Sequence, residues 1–311
     1  MGDTPICLFL DGDAAVEDFE AFGVRVVRAA EIEHPVLRRL SGTIRVKHAG
    51  LWVAPFDAFL FVDADAIVWG DLRPAGSEGF DFVLDAPLGR VKARRSVMDP
   101  DAVEEHFPGF GAHRKLPSFV NTGAYVARRG AVPLERYIEL VRFMWRHPGV
   151  FESDQGIFNF LVFSGADEGT LRVDQRELQV KLDDVTPAQL RRRFRFVDGQ
   201  PDPADGPVVI HWCGAAKPRM RGGADDFFEP MAFFRRQFLY SVKGPTSSAK
   251  ADLLLRLEDT LSTDFRGSNL RGRLIRLRRR GARWTRYGID RAKIAILRRT
   301  PPALASRLRG R

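Results

Sequence analysis

Six short apolar runs, rich in β-branched and aromatic residues, recur through the first 212 residues of the chain and are separated by amphipathic or turn-forming stretches. They cover residues 6–10, 24–27, 58–62, 80–84, 119–126 and 208–212. Runs of this length suit strands. The intervening periodic stretches 17–22, 133–146, 154–163 and 230–240 suit helices, with Pro133 and Asp154 standing where a helix start tolerates or favours them. Strands alternating with helices predict an α/β fold on a largely parallel sheet. Residues 90–115 combine Gly, Pro and charge without period and are expected to form a long functional loop.

At 311 residues and 44% hydrophobic content the chain can bury one substantial core with an appendage. The spacing predicts a main domain over 1–242, a linker at 243–250 containing Gly-Pro-Thr-Ser-Ser, and a separate tail over 251–311. Cys7 and Cys213 each lie in an apolar run, which argues against a disulfide framework or thiolate site and for a reducing, cytoplasmic setting. The first apolar run stops at Asp11, and no run reaches the length of a membrane span.

The net charge of +9 is unevenly distributed. Residues 266–311 carry sixteen Arg or Lys against the single acid Asp290, so the tail is +15 and the remainder −6. Leu270, Leu274, Leu277 and Trp284 fall at roughly helical spacing among the arginines. A basic amphipathic helix of this kind suits an anionic membrane surface, and a solvated basic tail is the alternative.

Two apolar runs end in chemistry. Phe59-Leu60-Phe61-Val62 is followed by Asp63-Ala64-Asp65; alternation along a strand puts both carboxylates on one side, where like charges invite a divalent cation such as Mn²⁺ or Mg²⁺. Val208-Val209-Ile210 is followed by His211, then Gly214 and Lys217. A neutral imidazole there can complete a metal shell, the glycine permits close backbone approach, and the lysine can meet phosphate.

The order Asp-x-Asp, then His-x-x-Gly-x-x-Lys-Pro, resembles the retaining glycosyltransferases of the GT-A fold, and most closely the glycogenin and lipopolysaccharide galactosyltransferase group (family 8). Two intermediate segments agree: Asn121-Thr122-Gly123 within residues 119–126, and Asp154-Gln155 at a helix start. The resemblance covers residues 43–218. It implies a Rossmann-like nucleotide-sugar transferase fold and a hexose moved with retention from a nucleotide-diphosphate sugar, a UDP-sugar by family habit, to a glycan or glycolipid acceptor. It further implies that Asp63, Asp65 and His211 hold the metal against the diphosphate and that Gly214 and Lys217 complete that grip. Lys47, Asp85 and Asn121 correspond to donor-binding positions. Asp154 and Gln155 correspond to those facing the sugar hydroxyls and the anomeric carbon.

The resemblance also has departures. Asp63 comes early for a complete nucleotide-binding half, which leaves three readings of the family's first strand-helix unit: the true start lies upstream, a shortened loop has absorbed the unit, or base binding is impaired. Arg219 stands where the family places an aromatic, and no tyrosine marks a self-glucosylation site. Two other readings stay open: a degenerate transferase fold that binds anionic polymer or the inner membrane face through its tail, and a metal-dependent nucleotidyltransferase. Nucleic acid is the less expected partner.

Overall fold

A computed structural model describes residues 4–11, 19, 22–41, 44–72, 77–88, 97–110, 119–151, 153–182, 184–203, 206, 208–212, 229–244, 247 and 249–257. Gly214, Lys217, Arg219, most of the expected helix at 17–22 and the whole basic segment 266–311 lie outside the described residues.

The strands are β1 (Cys7–Leu10), β2 (Arg25–Arg28), β3 (Ala58–Val62), β4 (Ala66–Trp69), β5 (Phe82–Leu84), β6 (Ala124–Arg128), β7 (Val173–Gln175), β8 (Gln179–Lys181), β9 (Arg195–Val197), β10 (Gln200–Asp202) and β11 (Val208–His211). The helices are α1 (Pro35–Arg39), α2 (Gly50–Val53), α3 (Pro100–His106), α4 (Leu134–Arg146), α5 (Asp154–Glu168), α6 (Pro187–Arg193) and α7 (Glu229–Lys243), with 3₁₀ turns at Ala29–Glu31 and Ile44–Ala49. The chain is therefore mixed α/β.

The sheets are mixed rather than largely parallel. In the four-stranded sheet β3-β6-β5-β7, β6 lies antiparallel to both neighbours and only β5 and β7 run parallel. In the three-stranded sheet β4-β11-β8, β11 is antiparallel to β4 and parallel to β8. A parallel neighbour requires a crossover of a dozen or more residues. The link from β3 to β4 is only Asp63-Ala64-Asp65, so the chain passes to the second sheet instead of returning to the first. β1 and β2 form a separate parallel pair and β9 and β10 a separate antiparallel one.

Period-two alternation sorts the side chains. Phe82 and Leu84 of β5 and Tyr125 and Ala127 of β6 enter the larger core with α4 and α5, while Val83, Ala124 and Val126 face a smaller cluster with Leu178 and Val209. Helix α4 buries Tyr137, Ile138, Leu140, Val141 and Met144, the stripe of an amphipathic helix, and α5 is apolar almost all round and correspondingly enclosed. Each fully buried side chain of the size of Phe158 contributes about 1.5–3 kcal/mol.

Three differences from the sequence reading have local causes. The strand expected over 119–126 starts only at Ala124, because the Asn121 side chain accepts from Gly123 N (2.8 Å) and turns the chain there. The expected loop at 90–115 contains α3, whose start is fixed by Asp99 accepting from Asp101 N at 3.1 Å with Pro100 in the first turn. Segment 243–250 is not all linker, since residues 249–257 are helical, Ser247 Oγ accepting from Lys250 N (3.3 Å) at the start.

The described chain forms two compact units, one comprising everything up to Trp212 with residues 229–234, the other residues 235–257. Within the second unit Arg236 pairs with Asp252 at 2.6 Å. Among the described residues no helix is long and apolar enough to cross a membrane.

Candidate metal centre

The segment Asp63–Asp65 is the hinge between the two larger sheets, and its backbone is held at both ends. Asp63 N donates to Gly123 O (2.9 Å), extending the β3–β6 ladder by one residue, and Trp212 N donates to Asp65 O (2.9 Å), extending the β4–β11 ladder. The two aspartates are thus joined through a turn, not carried on one straight strand as alternation implied, and their carboxylates still converge.

Strand β11 brings the third group. His211 Nε2 lies 3.2 Å from Asp65 Oδ1 and 3.6 Å from Asp63 Oδ2, and one ligand atom from each of the three residues falls within 4.8 Å of the others. The imidazole is buried while both carboxylates are half-buried, so the cluster opens to solvent on the acidic side. Gly123 makes the approach possible: a Cβ there would sit 2.2 Å from His211 Cε1 and 2.3 Å from Nδ1.

Behind the imidazole, Gln179 Oε1 lies 2.8 Å from His211 Nδ1. The amide of Gln179 is oriented by its other end, where Nε2 donates to the Asn121 backbone oxygen (3.3 Å) and to Asn121 Oδ1 (3.2 Å). Asn121 Oδ1 is itself fixed as an acceptor by Gly123 N.

In front, Lys47 Nζ meets Asp63 Oδ2 at 2.9 Å and lies over the Phe61 ring at 5.5 Å. Burial pushes the Asp63 carboxyl above its usual value; Lys47 and His211 pull it down, and the Asp65 charge pushes it up again. The carboxylate is therefore incompletely compensated by its protein neighbours. Two carboxylate oxygens and one imidazole nitrogen form a donor set that fits a divalent cation, with Mn²⁺ and Mg²⁺ both admitted by its chemistry.

The other predicted residues divide. Asp154 opens α5 but is turned inward, where it meets His48 Nε2 at 3.2 Å, and both side chains are essentially inaccessible. Burial alone would raise the Asp154 carboxyl; contact with His48, together with the His48 and Lys47 charges, holds it below the usual value. Burial pushes the His48 imidazole down, although Asp154 opposes the shift. Gln155, half-buried, accepts from Thr122 N at 3.2 Å. Asp85 is fully buried, its Oδ1 accepting from Leu178 N and Gln179 N (both 3.1 Å) and its Oδ2 from Lys181 Nζ (2.8 Å). In this structure Asp85 and Asn121 brace the site from within.

Sequence reading missed His48, Gln179, Lys181 and Asn159. Asn159 clips α5 to the turn before β6: its Oδ1 accepts from Val120 N (2.8 Å) and its Nδ2 donates to Val120 O (3.0 Å) and Gln155 O (2.8 Å). Polar residues at period two in Gln179-Val180-Lys181 were the available signal for that strand.

A cleft of about 580 Å³ lined by Asp57, Asp81, Arg128 and Arg129 lies at the opposite end of the β3–β6 pair from Asp63. Arg129 pairs there with Asp57 (2.6 Å), and Arg172 pairs with Asp81 (3.4 Å). The fold and this cluster define a mixed α/β protein with a three-residue candidate cation centre at a sheet junction. No protein-family model matches the chain, and no curated protein matches it.

Proposed function

We propose that the protein is a metal-dependent hexosyltransferase of the GT-A type, taking a sugar from a nucleotide-diphosphate donor, a UDP-sugar in the first instance, and passing it with retention to a glycan or glycolipid acceptor. The observation that carries this reading is the convergence of Asp63, Asp65 and His211 on one small volume from three places in the sequence. Mn²⁺ or Mg²⁺ bound there supplies charge neutralisation for the departing diphosphate.

The protein groups have separate tasks in this reading. Lys47, paired with Asp63 Oδ2, is assigned to a phosphate oxygen, and the resemblance assigns Gly214 and Lys217 to the same diphosphate. Positive charge develops at the anomeric carbon as the sugar–phosphate bond breaks, and the Gln155 side-chain oxygen, which accepts from Thr122 N, is assigned to face it. The inward-facing Asp154, held ionised beside His48, adds a negative field at longer range. Attack by the acceptor hydroxyl on the face the leaving group vacates gives retention, and its proton passes to the diphosphate. Asp85 and Asn121 keep β5, β8 and the turn before β6 in register behind the site.

The tail 266–311, at +15, is proposed to meet an anionic membrane surface at the inner face, with a solvated basic tail as the alternative. Calorimetric titration with a panel of nucleotide sugars, with and without Mn²⁺, tests the proposal. Binding of at least one donor only in the presence of metal is expected, followed by its turnover. Metal-independent binding, or none across the panel, contradicts it.

A further inference from the structure

We infer that Gln179 is the positioning residue that sets the tautomer of His211 and thereby the cation affinity of the centre; this rests on the proposed metal site. The chain of donors and acceptors leaves little freedom. Gly123 N can only donate, so the Asn121 atom facing it is oxygen. The Asn121 backbone oxygen can only accept, and with Oδ1 it draws the nitrogen end of the Gln179 amide. The oxygen end of Gln179 is then the atom 2.8 Å from His211 Nδ1, and Nδ1 carries the ring proton.

That proton placement puts the lone pair of Nε2 on the side of Asp65 Oδ1 and Asp63 Oδ2. Lys47 meets one of these three electron-rich atoms, Asp63 Oδ2, and the group as a whole still favours a cation; the arrangement is built into the fold because Asn121 and Gln179 are braced by backbone and Gln179 in turn holds the His211 ring. Gln179 and His211 are both buried, and β8 and β11 are paired in parallel with Gln179 opposite Val209 and Lys181 opposite His211. An amide in this role is weaker than a carboxylate, which gives a centre that binds its ion without locking the imidazole to it.

The test uses the full chain. Mn²⁺ binding is titrated by electron paramagnetic resonance for the wild type, Gln179→Met, Gln179→Glu and Asp65→Ala, with thermal unfolding measured in parallel. Gln179→Met preserves volume and removes the acceptor, and is expected to lose about 10- to 100-fold in affinity. Gln179→Glu keeps an acceptor at Nδ1 but turns its second oxygen toward the Asn121 backbone oxygen and Oδ1, so it is expected to bind Mn²⁺ more tightly than Gln179→Met while unfolding at a lower temperature than the wild type. Unchanged affinity in Gln179→Met, with binding abolished in Asp65→Ala, overturns the inference and leaves the metal site standing; unchanged binding in both variants overturns the metal site itself. A second measurement does not depend on any variant folding: histidine ¹⁵N spectra of the metal-free wild type at pH 8 should show the His211 proton on Nδ1 alone, and a proton on Nε2 overturns the inference whatever the metal titration shows.

Discussion

Lys47 Nζ lies 2.9 Å from Asp63 Oδ2, the same oxygen that faces His211 Nε2 at 3.6 Å. The ammonium therefore stands beside the position a metal would take and already neutralises part of the charge that would hold it. With both side chains mostly shielded, the pair is worth more than an exposed surface ion pair.

Replacing Lys47 by Met should tighten Mn²⁺ binding in the absence of donor, by about fivefold for an interaction of roughly 1 kcal/mol. The same variant should weaken donor binding, because the phosphate loses a cation. Titrations with metal alone and with metal plus nucleotide sugar check the opposed signs; two shifts in the same direction would remove Lys47 from either task.

Gly123→Ala should displace the His211 ring, since the added methyl would fall 2.2 Å from Cε1 and the imidazole is enclosed. We expect a stability loss of about 1–3 kcal/mol and loss of stoichiometric Mn²⁺ binding. Thermal unfolding and metal titration of the purified variant read both effects, and a variant with wild-type metal affinity would show that the ring has room the structure does not give it.

Asn159→Leu removes both partners of the Val120 peptide, whose N–H and C=O are met by Oδ1 and Nδ2 at 2.8 and 3.0 Å. An unsatisfied buried group costs about 1–3 kcal/mol, so denaturant unfolding should show an unfolding free energy lowered by that amount, read as a lower midpoint with little change in slope. A neutral result would mean that the clip between α5 and the turn is dispensable.

The His48–Asp154 pair predicts an acid-side loss of stability with a definite sign. Burial depresses the folded His48 value below that of the unfolded chain. As pH falls below about 6.5 the unfolded state takes up a proton that the folded state resists. Stability is thus full above that pH and declines below it. Asp154, also depressed in the fold, extends the decline below about pH 4. His48→Gln should flatten the melting temperature profile between about pH 6.5 and 5 relative to wild type; parallel profiles would count against the buried histidine as the source.

The apolar runs ending at Val62 and before His211 were legible in the sequence because a short buried strand needs continuous β-branched and aromatic residues. Helix α4 was legible from its stripe and from Pro133. The sheet directions were not, because apolar runs carry no sign of direction and β6 inserts antiparallel between β3 and β5. Within the site, Asp63, Asp65 and His211 stood out by type and spacing. Asp85 and Asn121 stood out equally, yet their side chains turn inward to Lys181, to Gln179 and to backbone, an orientation set by tertiary pairing. Gln179 and His48 gave no signal by type, since their importance lies in what they touch.

The proposed activity depends most on the three-residue cation centre, and Mn²⁺ titration by electron paramagnetic resonance of the wild type against Asp65→Ala and His211→Ala tests it directly. One ion bound per wild-type chain, with binding lost in each folded variant, is the predicted result. A wild type that binds no stoichiometric Mn²⁺, or variants that bind it as tightly as wild type, would contradict it.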